Sequence, residues 1–144
     1  DLKVTFLDST NKKLGLIIET LQKLSLTGET IHSRAEEAGQ NPVFREKFDF
    51  ATARVVAALP VLSEYCLPLI RINGLFIAMK ASSAAEETAS SENALKTLGG
   101  KVENDFSFNT DENGERHIIS VRKISQTLPK YPRPSAQIAK KPLK

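Results

Sequence analysis

The sequence has few of the residues on which disulfide-rich, metal-binding and membrane-spanning proteins depend. Among its 144 residues there is one cysteine, Cys66, which cannot form an internal disulfide, so a reducing, cytoplasmic environment is the simplest expectation. We expect Cys66 to be buried and inert. The two histidines, His32 and His117, are isolated from the cysteine and from each other, so no metal site is expected. No apolar run approaches the roughly 20 residues that span a bilayer, and no signal peptide precedes the first apolar stretch, so we expect no membrane association.

The sequence also lacks a recognisable catalytic group. It has no paired carboxylates and no Ser/His/Asp arrangement, so we assign no catalytic residue. Residues 3–13 read KVTFLDSTNKK, in which a short apolar run ends at Asp8. An acidic residue in this position usually binds a nucleotide ribose and follows a glycine-rich loop by roughly 20 residues, but only seven residues precede Asp8. The stretch therefore predicts a nucleotide-binding domain that begins in its middle.

Positive charge is concentrated at one end of the chain. The net charge is +3, and the last 19 residues, QTLPKYPRPSAQIAKKPLK, contain five basic residues and no acidic one. Four of the seven prolines also lie there, so neither a helix nor a central strand is expected. We divide the chain into a folded part, residues 1–125, and a basic tail, residues 126–144. The tail is either a solvated terminus or a contact for nucleic-acid phosphates.

Hydrophobic periodicity in the first half predicts strands that alternate with helices. Residues 3–7 and the stretch ETIHSR predict the first two strands. Between them, five apolar residues recur at helical spacing: Leu14, Ile17, Ile18, Leu21 and Leu24. Ser9 or Thr10 is expected to cap this helix. AEEAGQNP predicts a loop with one helical turn, and FDFATAR (48–54) predicts a third strand. Pro60 is expected in the first turn of the next helix.

The second half continues the alternation and ends in two adjacent strands. Asn73-Gly74 predicts a turn before GLFIAMK, a run apolar enough for a strand covered on both faces. Residues 83–98 predict one helix that Gly99-Gly100 ends. KVENDFSFN and ERHIISVRKI, around a turn at residues 111–114, predict an antiparallel pair. The whole order predicts an α/β fold with a mostly parallel sheet. Its closing pair resembles the end of a Rossmann-like S-adenosylmethionine-dependent methyltransferase sheet rather than that of a dehydrogenase.

Four stretches in series resemble one bacterial family. They are FLDSTNKK (6–13), HSRAEE (32–37), FDFATARVVAALPVLSEYCLPL (48–69) and the region from ERHIISVRK to KYPR (115–133). Their order and spacing resemble the RsmG family of 16S ribosomal RNA methyltransferases, also called glucose-inhibited division protein B, over essentially the whole chain. The sequence departs from the family at Ala81, where glycine is usual, and after KYPR, where the family commonly continues RAG.

The resemblance implies an enzyme that transfers a methyl group from S-adenosylmethionine to N7 of one guanine in 16S rRNA, with the small ribosomal subunit as its partner. Family members carry an N-terminal helical segment, a first strand and a GSGAGFPG loop that are not found in this sequence, so the chain is expected to be the C-terminal part of a larger enzyme. We expect this part to bind the cofactor poorly or not at all. It is also expected to pair the exposed edges of the strands at 3–7 and 48–54 across a dimer.

The family's cofactor positions correspond to Asp8, Ser9, Ala35, Glu36 and Arg54. Each follows a predicted strand, and parallel sheets bind ligands at the carboxyl ends of their strands. Asp8 would accept hydrogen bonds from ribose hydroxyls, or alternatively cap the next helix. Ala35 and Glu36 would lie against the adenine, or alternatively form a solvated first turn.

Basic residues are the remaining candidates. Arg54 would pair with the methionine carboxylate of the cofactor or with an RNA phosphate, and its structural alternative is an ion pair with Glu64 or Glu46. Three cations are assigned to RNA binding: Lys80, Lys130 and Arg133. As a lysine at a strand end, Lys80 could equally be solvated.

Three functions stay open at this point. The first is the RNA methyltransferase, and the second is a non-catalytic Rossmann-like module that binds RNA without a cofactor. A glycine-rich segment upstream in the gene would favour the first over the second. The third is a nicotinamide-dependent oxidoreductase, against which the closing antiparallel pair and the TARVVA stretch argue.

Overall fold

The predicted alternation of strands and helices is present in the computed structural model, which describes residues 2–54, 57–81, 84–110 and 114–144. The strands are β1 (Thr5–Asp8), β2 (Glu29–His32), β3 (Phe48–Ala53), β4 (Ile70–Ala81), β5 (Gly100–Thr110) and β6 (Gly114–Lys123). The helices are α1 (Asn11–Lys23), α2 (Ala35–Gln40), α3 (Leu59–Cys66), α4 (Ala84–Ser90), α5 (Glu92–Leu98) and α6 (Ser135–Lys140), and a 3-10 turn (Leu67–Leu69) follows α3. Within the described ranges, no helix has the length and apolar character needed to cross a membrane.

Two of the predicted helical regions differ from expectation. The region predicted as one helix at 83–98 is two helices that meet at Ser91. The Ser91 side chain is buried and its hydroxyl donates to the carbonyl oxygen of Glu87 at 2.5 Å, a local bond that competes with the helical backbone ladder. Gly99 ends α5 as predicted, with a left-handed φ of 82°. The AEEAGQ stretch, predicted to be a loop with one turn, is the six-residue helix α2.

The strands form two separate sheets. β1 pairs in parallel with β2, and the second sheet has the order β3-β4-β6-β5. In that sheet β3 and β4 are parallel, whereas β6 is antiparallel to both β4 and β5, so the predicted closing antiparallel pair is confirmed. Residues 111–113 of its predicted turn lie outside the described residues. Within the described chain, no strand pairing joins β1 to β3, and each of these strands therefore has one unpaired edge.

The predicted turn at Asn73-Gly74 is instead an irregularity inside β4. The register of β4 against β3 shifts between Phe48 and Phe50, and Asn73 has a left-handed φ of 66°. A Cβ atom on Gly74 would lie 2.7 Å from the carbonyl oxygen of Asp49, so only glycine fits there. An Asn-Gly pair favours positive φ both in a bulge and in a turn, and the local sequence does not separate the two.

The hydrophobic core lies on one face of the four-stranded sheet. It joins α3, α5 and the sheet through eleven buried residues: Leu59, Leu62, Leu67, Ile70, Phe76, Ala78, Leu95, Leu98, Ile119, Val121 and Tyr131. The prediction that the run GLFIAMK is covered on both faces is wrong. Within it Phe76 and Ala78 belong to this core, whereas Met79 is 43% exposed. Helices cover one side of the sheet and leave the other largely open.

An apolar row crosses the open side, which we call the apolar sheet face. Met79 pairs with Ile118, and Ile118 pairs with Phe106 on the edge strand β5. Phe106 is 63% exposed, and its ring lies 6.0 Å from that of Phe108, centroid to centroid. Phe50 on β3 is 58% exposed. Large exposed apolar surfaces of this kind mark interaction or association sites.

α1 also buries only part of its predicted apolar face. Leu14 is buried, but Ile18 and Leu24 are exposed. The two-stranded sheet of β1 and β2 is too narrow to cover the full width of the helix.

The C-terminal tail is packed against the rest of the protein, which corrects the expectation of a solvated terminus. Tyr131 and Ile138 are 7% and 0% exposed. Residues 135–140 form the helix α6, so the expectation that the tail contains no helix is wrong. The Arg45 guanidinium donates to the carbonyl oxygens of Thr127 and Tyr131 at 2.7 and 2.8 Å. These contacts come from distant parts of the chain, so the composition of the tail did not reveal them. The division at residue 125 stays a prediction.

His117 gives the hairpin of β5 and β6 a predictable pH dependence. Its Nδ1 lies 2.8 Å from Oδ1 of Asp105, and this hydrogen bond raises the pKa of His117 above its ordinary value of 6.5. The protonated ring therefore stabilises the folded state fully below about pH 6.5, and this contribution is lost as the pH rises through the raised pKa. We expect urea unfolding to show this loss as the pH rises above about 6.5.

Two variants test whether the His117–Asp105 hydrogen bond causes this pH dependence of the stability. Asp105→Asn should reduce the pH dependence to the smaller part that Glu115 contributes. Glu103→Gln, which alters an exposed carboxylate paired with Arg122 on the same hairpin, should keep it unchanged. An unchanged slope in Asp105→Asn would refute the assignment to His117.

Candidate functional site

A cleft of about 260 Å³ lies at the carboxyl ends of β1 and β2. Its lining residues come from β1, α1, α2, α3 and the loops between them: Leu7, Asp8, Ser9, Lys13, Ser33, Arg34, Ala35, Glu36 and Tyr65. The structure thus brings together Asp8, Ser9, Ala35 and Glu36. Arg54, the fifth predicted cofactor residue, is not among the lining residues.

Asp8 organises the loop between β1 and α1. Its Oδ1 accepts a hydrogen bond from the Thr10 amide at 2.8 Å, and Oδ2 lies 3.3 Å from Nζ of Lys13. Partial burial alone would raise the pKa of Asp8, but the bonds from Thr10 and Lys13 outweigh it and lower the pKa. Asp8 is therefore an ionised acceptor. Neither Ser9 nor Thr10 caps α1 through its side chain, because the Asp8 carboxylate makes the turn instead.

Ser9 is held by the end of the neighbouring strand. The Nε2 atom of His32 donates to the Ser9 carbonyl oxygen at 3.1 Å. This bond joins the loop after β1 to the end of β2, so that both sides of the cleft are fixed relative to each other.

Glu36 is the most enclosed carboxylate of the cleft. Its side chain is 13% exposed, and its Oε1 accepts a hydrogen bond from Nε of Arg34 at 2.7 Å. Burial raises the pKa of Glu36, but the hydrogen bonds from Arg34 and the Ser135 hydroxyl lower it further than burial raises it. The Arg34 guanidinium also donates from Nη2 to the Ser135 hydroxyl at 3.1 Å. Glu36 is thus not the solvated first-turn residue of the alternative interpretation.

Sequence reasoning missed five residues that line the cleft: Leu7, Lys13, Ser33, Arg34 and Tyr65. Lys13 and Arg34 lie within the stretches that carry the family resemblance, but nothing in their spacing marks them. Tyr65 lies in the helix predicted to begin at Pro60, and it is partly exposed on the cleft side of α3. Burial and the nearby Glu36 raise the pKa of Tyr65, so its hydroxyl stays protonated and its ring offers a flat apolar surface.

Arg54 follows β3 and is exposed. Among the residues that the structure describes, it makes no hydrogen bond or ion pair. Both predicted structural partners are engaged elsewhere, since Glu64 pairs with Arg133 and Glu46 with Lys123. Its neighbours in TARVVA, residues 55 and 56, lie outside the described residues.

Two of the three predicted RNA-binding cations have internal partners. The Lys80 Nζ lies 2.8 Å from Oε2 of Glu87 and donates to the Ala57 carbonyl oxygen at 2.7 Å. Arg133 forms an ion pair with the buried Glu64. Lys130 alone of the three is exposed, with its Nζ 5.2 Å from the centre of the Tyr131 ring. Lys80 is consequently not a solvated strand-end lysine.

Cys66 is partly exposed at its surface, which corrects the prediction that it is buried, but its surroundings are apolar enough to keep the thiol protonated. Desolvation raises the pKa of its thiol to about 12, so it carries no reactive thiolate near neutral pH. Across the described ranges, no three His, Cys, Asp or Glu side chains are grouped closely enough to hold a metal ion.

Solved structures with similar backbones identify the fold class of the chain. An rRNA methylase from Streptococcus thermophilus superposes with a TM-score of 0.60 at 17% identity, over 85% of this chain and 74% of that one. A methyltransferase from Pyrococcus furiosus gives a TM-score of 0.60 at 14% identity, over 85% of this chain and 64% of that one. The fold is the Rossmann-like fold of methyltransferases, as predicted.

The sequence narrows this class to one family. The GidB family, described as rRNA small subunit methyltransferase G, matches residues 1–119, and the chain belongs to this family. Ribosomal RNA small subunit methyltransferase G of Leuconostoc mesenteroides is 44% identical over 144 residues, and that of Acetivibrio thermocellus is 46% identical over 145 residues. Each match covers 99% of this chain but 60% of the relative, so the chain spans about 60% of the length of these relatives.

Proposed function

We propose that this chain forms part of an enzyme that transfers a methyl group from S-adenosylmethionine to N7 of a guanine in 16S rRNA, in the cytoplasm. The observation that carries the proposal is the convergence of Asp8, Ser9, Ala35 and Glu36 in one cleft of a protein from the GidB family. Membership of the family supports the reaction class, and the cleft supports the place of the cofactor.

The residues of the cleft fit the adenosine part of that cofactor. Asp8 has lone pairs beyond those used by Thr10 and Lys13, and they can accept hydrogen bonds from two ribose hydroxyls. Ala35 is small enough to let a flat ring approach, and Tyr65 offers an aromatic surface beside it. Pockets for complete drug-sized ligands measure about 300–1,000 Å³, and the cleft measures about 260 Å³. These residues would therefore hold the nucleoside and leave the methionine part to others.

The proposed reaction does not require a side chain that acts as a general acid or base. The cofactor supplies an activated methyl group on its sulfur. Guanine N7 already carries an in-plane lone pair, so no base has to remove a proton before attack. The protein's contribution is to align the guanine with the methyl group in a water-excluding cleft. A site without paired acid and base residues suits this chemistry.

Arg54 and Lys130 are the proposed cationic contacts. Arg54 is exposed and unpaired in the described part of the chain, so its guanidinium can bind the methionine carboxylate or an RNA phosphate without breaking an existing bond. Lys130 can add a phosphate contact. Lys80 and Arg133 would first have to leave their carboxylate partners, so we give them structural roles.

The proposal is tested with the complete gene product and small ribosomal subunits that lack N7-methylguanine. Mapping of modified bases should show one new N7-methylguanine in 16S rRNA. Asp8→Ala should raise the KM for S-adenosylmethionine by about 10- to 100-fold, because it removes hydrogen bonds to a charged acceptor. Asp49→Ala, which alters an exposed carboxylate on β3, serves as the matched control.

Two results would argue against the proposal. RNA binding without any methyl transfer would favour the non-catalytic RNA-binding module. An unchanged KM in Asp8→Ala would remove Asp8 from the cofactor site. For the 144-residue chain alone, we expect calorimetric titration with S-adenosylmethionine to give weak or no binding.

We expect the isolated 144-residue chain to form a dimer through its open strand edges. β1 and β3 each have one unpaired edge, and unpaired edges recruit further strands. Sedimentation equilibrium should show the dimer at micromolar concentration. Thr52→Lys places a charge on exposed β3 and should yield monomer.

The apolar sheet face offers a competing route to association. Phe106→Lys places the same charge on that face, far from the β3 edge. If Phe106→Lys becomes monomeric and Thr52→Lys does not, the chain associates through the apolar sheet face, and the hypothesis of pairing through the strand edges is refuted. If the unaltered chain is a monomer with an intact circular dichroism spectrum, both routes of association are refuted.

A further inference from the structure

The segment from Thr127 to Ser135 lies along α2, the short helix that contributes Ala35 and Glu36 to the cleft. Gln40, the last residue of α2, donates from Nε2 to the carbonyl oxygens of Pro129 and Pro132 at 3.0 and 2.9 Å. The contact fixes the carboxyl end of the helix to the C-terminal segment.

The packing between these two parts is close as well as hydrogen bonded. A Cβ atom on Gly39 would lie 2.8 Å from Cγ of Pro132, so the helix backbone rests directly on the segment. Arg45, just after α2, donates from Nη1 to the carbonyl oxygens of Gly39 and Tyr131 at 2.7 and 2.8 Å. One guanidinium therefore bridges the helix and the segment.

The amino end of α2 is tied to the first residue of α6. Arg34 precedes α2, and its guanidinium donates to Glu36 from Nε and to the Ser135 hydroxyl from Nη2. The same hydroxyl also helps to lower the pKa of the Glu36 carboxylate. Arg34 thus links Glu36 to Ser135, and of these three residues only Glu36 and Arg34 line the cleft.

We propose that the C-terminal segment is a positioning element of the cleft, which holds α2 at both ends and so sets the orientation of Glu36 toward the adenosine part of the cofactor. An isolated helix of six residues is far below the length that is stable in water, so α2 depends on its tertiary contacts for its geometry. The effect on the cofactor rests on the proposed function, whereas the attachment of α2 does not. Ser135 and Gln40 are positioning residues, since neither lines the cleft.

The test uses Ser135→Ala and Gln40→Ala in the complete gene product. Ser135→Ala, which removes the hydrogen bond to Arg34, should raise the KM for S-adenosylmethionine about fivefold. Gln40→Ala, which removes two hydrogen bonds, should raise it at least as much, and kcat should stay unchanged in both variants. Amide hydrogen exchange in α2 should become about fivefold faster, while exchange in β4 and β6 stays the same. Ser135→Ala should also raise the pKa of the Glu36 carboxylate, measured by carbon NMR. Ser107→Ala, at an exposed serine on the edge strand β5, is the matched control.

The outcomes separate the positioning role from the proposed function. Unchanged KM and unchanged α2 exchange in both variants would overturn the positioning role. Faster exchange throughout the protein would also overturn it, because that result indicates general destabilisation. If α2 exchange responds but the unaltered protein neither binds the cofactor nor transfers a methyl group, the proposed function is wrong and the attachment of α2 stands. Recovery in Ser135→Thr, which restores the hydroxyl, supports the role.

Discussion

Replacing Arg133 by alanine is expected to lower the free energy of unfolding by about 3–5 kcal/mol, the usual cost of removing one partner from a buried ion pair. The Glu64 side chain is 1% exposed, and Arg133 binds it through Nε at 2.8 Å and Nη2 at 2.7 Å. The Arg133 amide adds a third bond at 3.0 Å. The variant would leave a carboxylate buried without a counter-charge. Equilibrium unfolding in urea measures the loss.

Lys130→Ala is the matched control for this prediction. Lys130 lies in the same segment and is exposed, so its removal should cost no more than about 1 kcal/mol, the value of an exposed cation–π contact. The double variant Glu64→Leu with Arg133→Leu removes both charges together and should recover most of the stability. Equal stability of Arg133→Ala and Lys130→Ala would show that the Glu64 pair contributes little, and would reopen Arg133 as a free RNA-binding residue.

A second large effect is expected at Lys123, whose side chain is completely buried. Its Nζ donates to the Leu67 carbonyl oxygen at 2.6 Å and to Oγ1 of Thr127 at 2.5 Å, and lies 3.2 Å from Oε1 of Glu46. Burial lowers the pKa of Lys123, which the nearby Glu46 partly opposes. Lys123→Ala would leave a cavity and an unpaired carbonyl oxygen. We expect a loss of about 3–5 kcal/mol in the free energy of unfolding.

Lys123→Met separates the two contributions. Methionine fills most of the volume but donates no hydrogen bond, so only the loss of polar contacts remains, about 1–3 kcal/mol. Thermal and urea unfolding of both variants should therefore rank Lys123→Ala as the less stable. A cost below about 1 kcal/mol for Lys123→Ala would contradict the role given to this network.

The elements that local pattern encodes were predicted correctly. β1, α1, β2, β3, α3 and the pair β5 and β6 all appear near their expected positions, because strand and helix periodicity and the Gly99 stop act within a few residues. Two of the errors fall where a local signal has two outcomes. Asn73-Gly74 permits positive φ in a turn or in a bulge, and the choice depends on the pairing of β4 with β3. The same is true of Ser91, whose hydroxyl can interrupt a helix or leave it intact.

The cleft was predicted through family resemblance and not through composition. Asp8, Ser9, Ala35 and Glu36 lie in motifs of the family, and the fold brings them together. Their cofactor roles stay predictions. Arg34 and Tyr65 were missed because an arginine before a helix and a tyrosine on an apolar face carry no distinctive spacing.

The sequence by itself determined the class of this protein: alternating periods of two and 3.6 residues specify an α/β sheet, and four motifs in series specify its family. Only the tertiary structure decided which basic side chains pair with a carboxylate. Arg54, Lys80, Lys123 and Arg133 look alike along the chain, yet three of them meet a carboxylate and Arg54 meets none among the described residues. The physical reason is that an ion pair forms between residues far apart in sequence, such as Glu64 and Arg133, and their approach is set by packing, which no local pattern records.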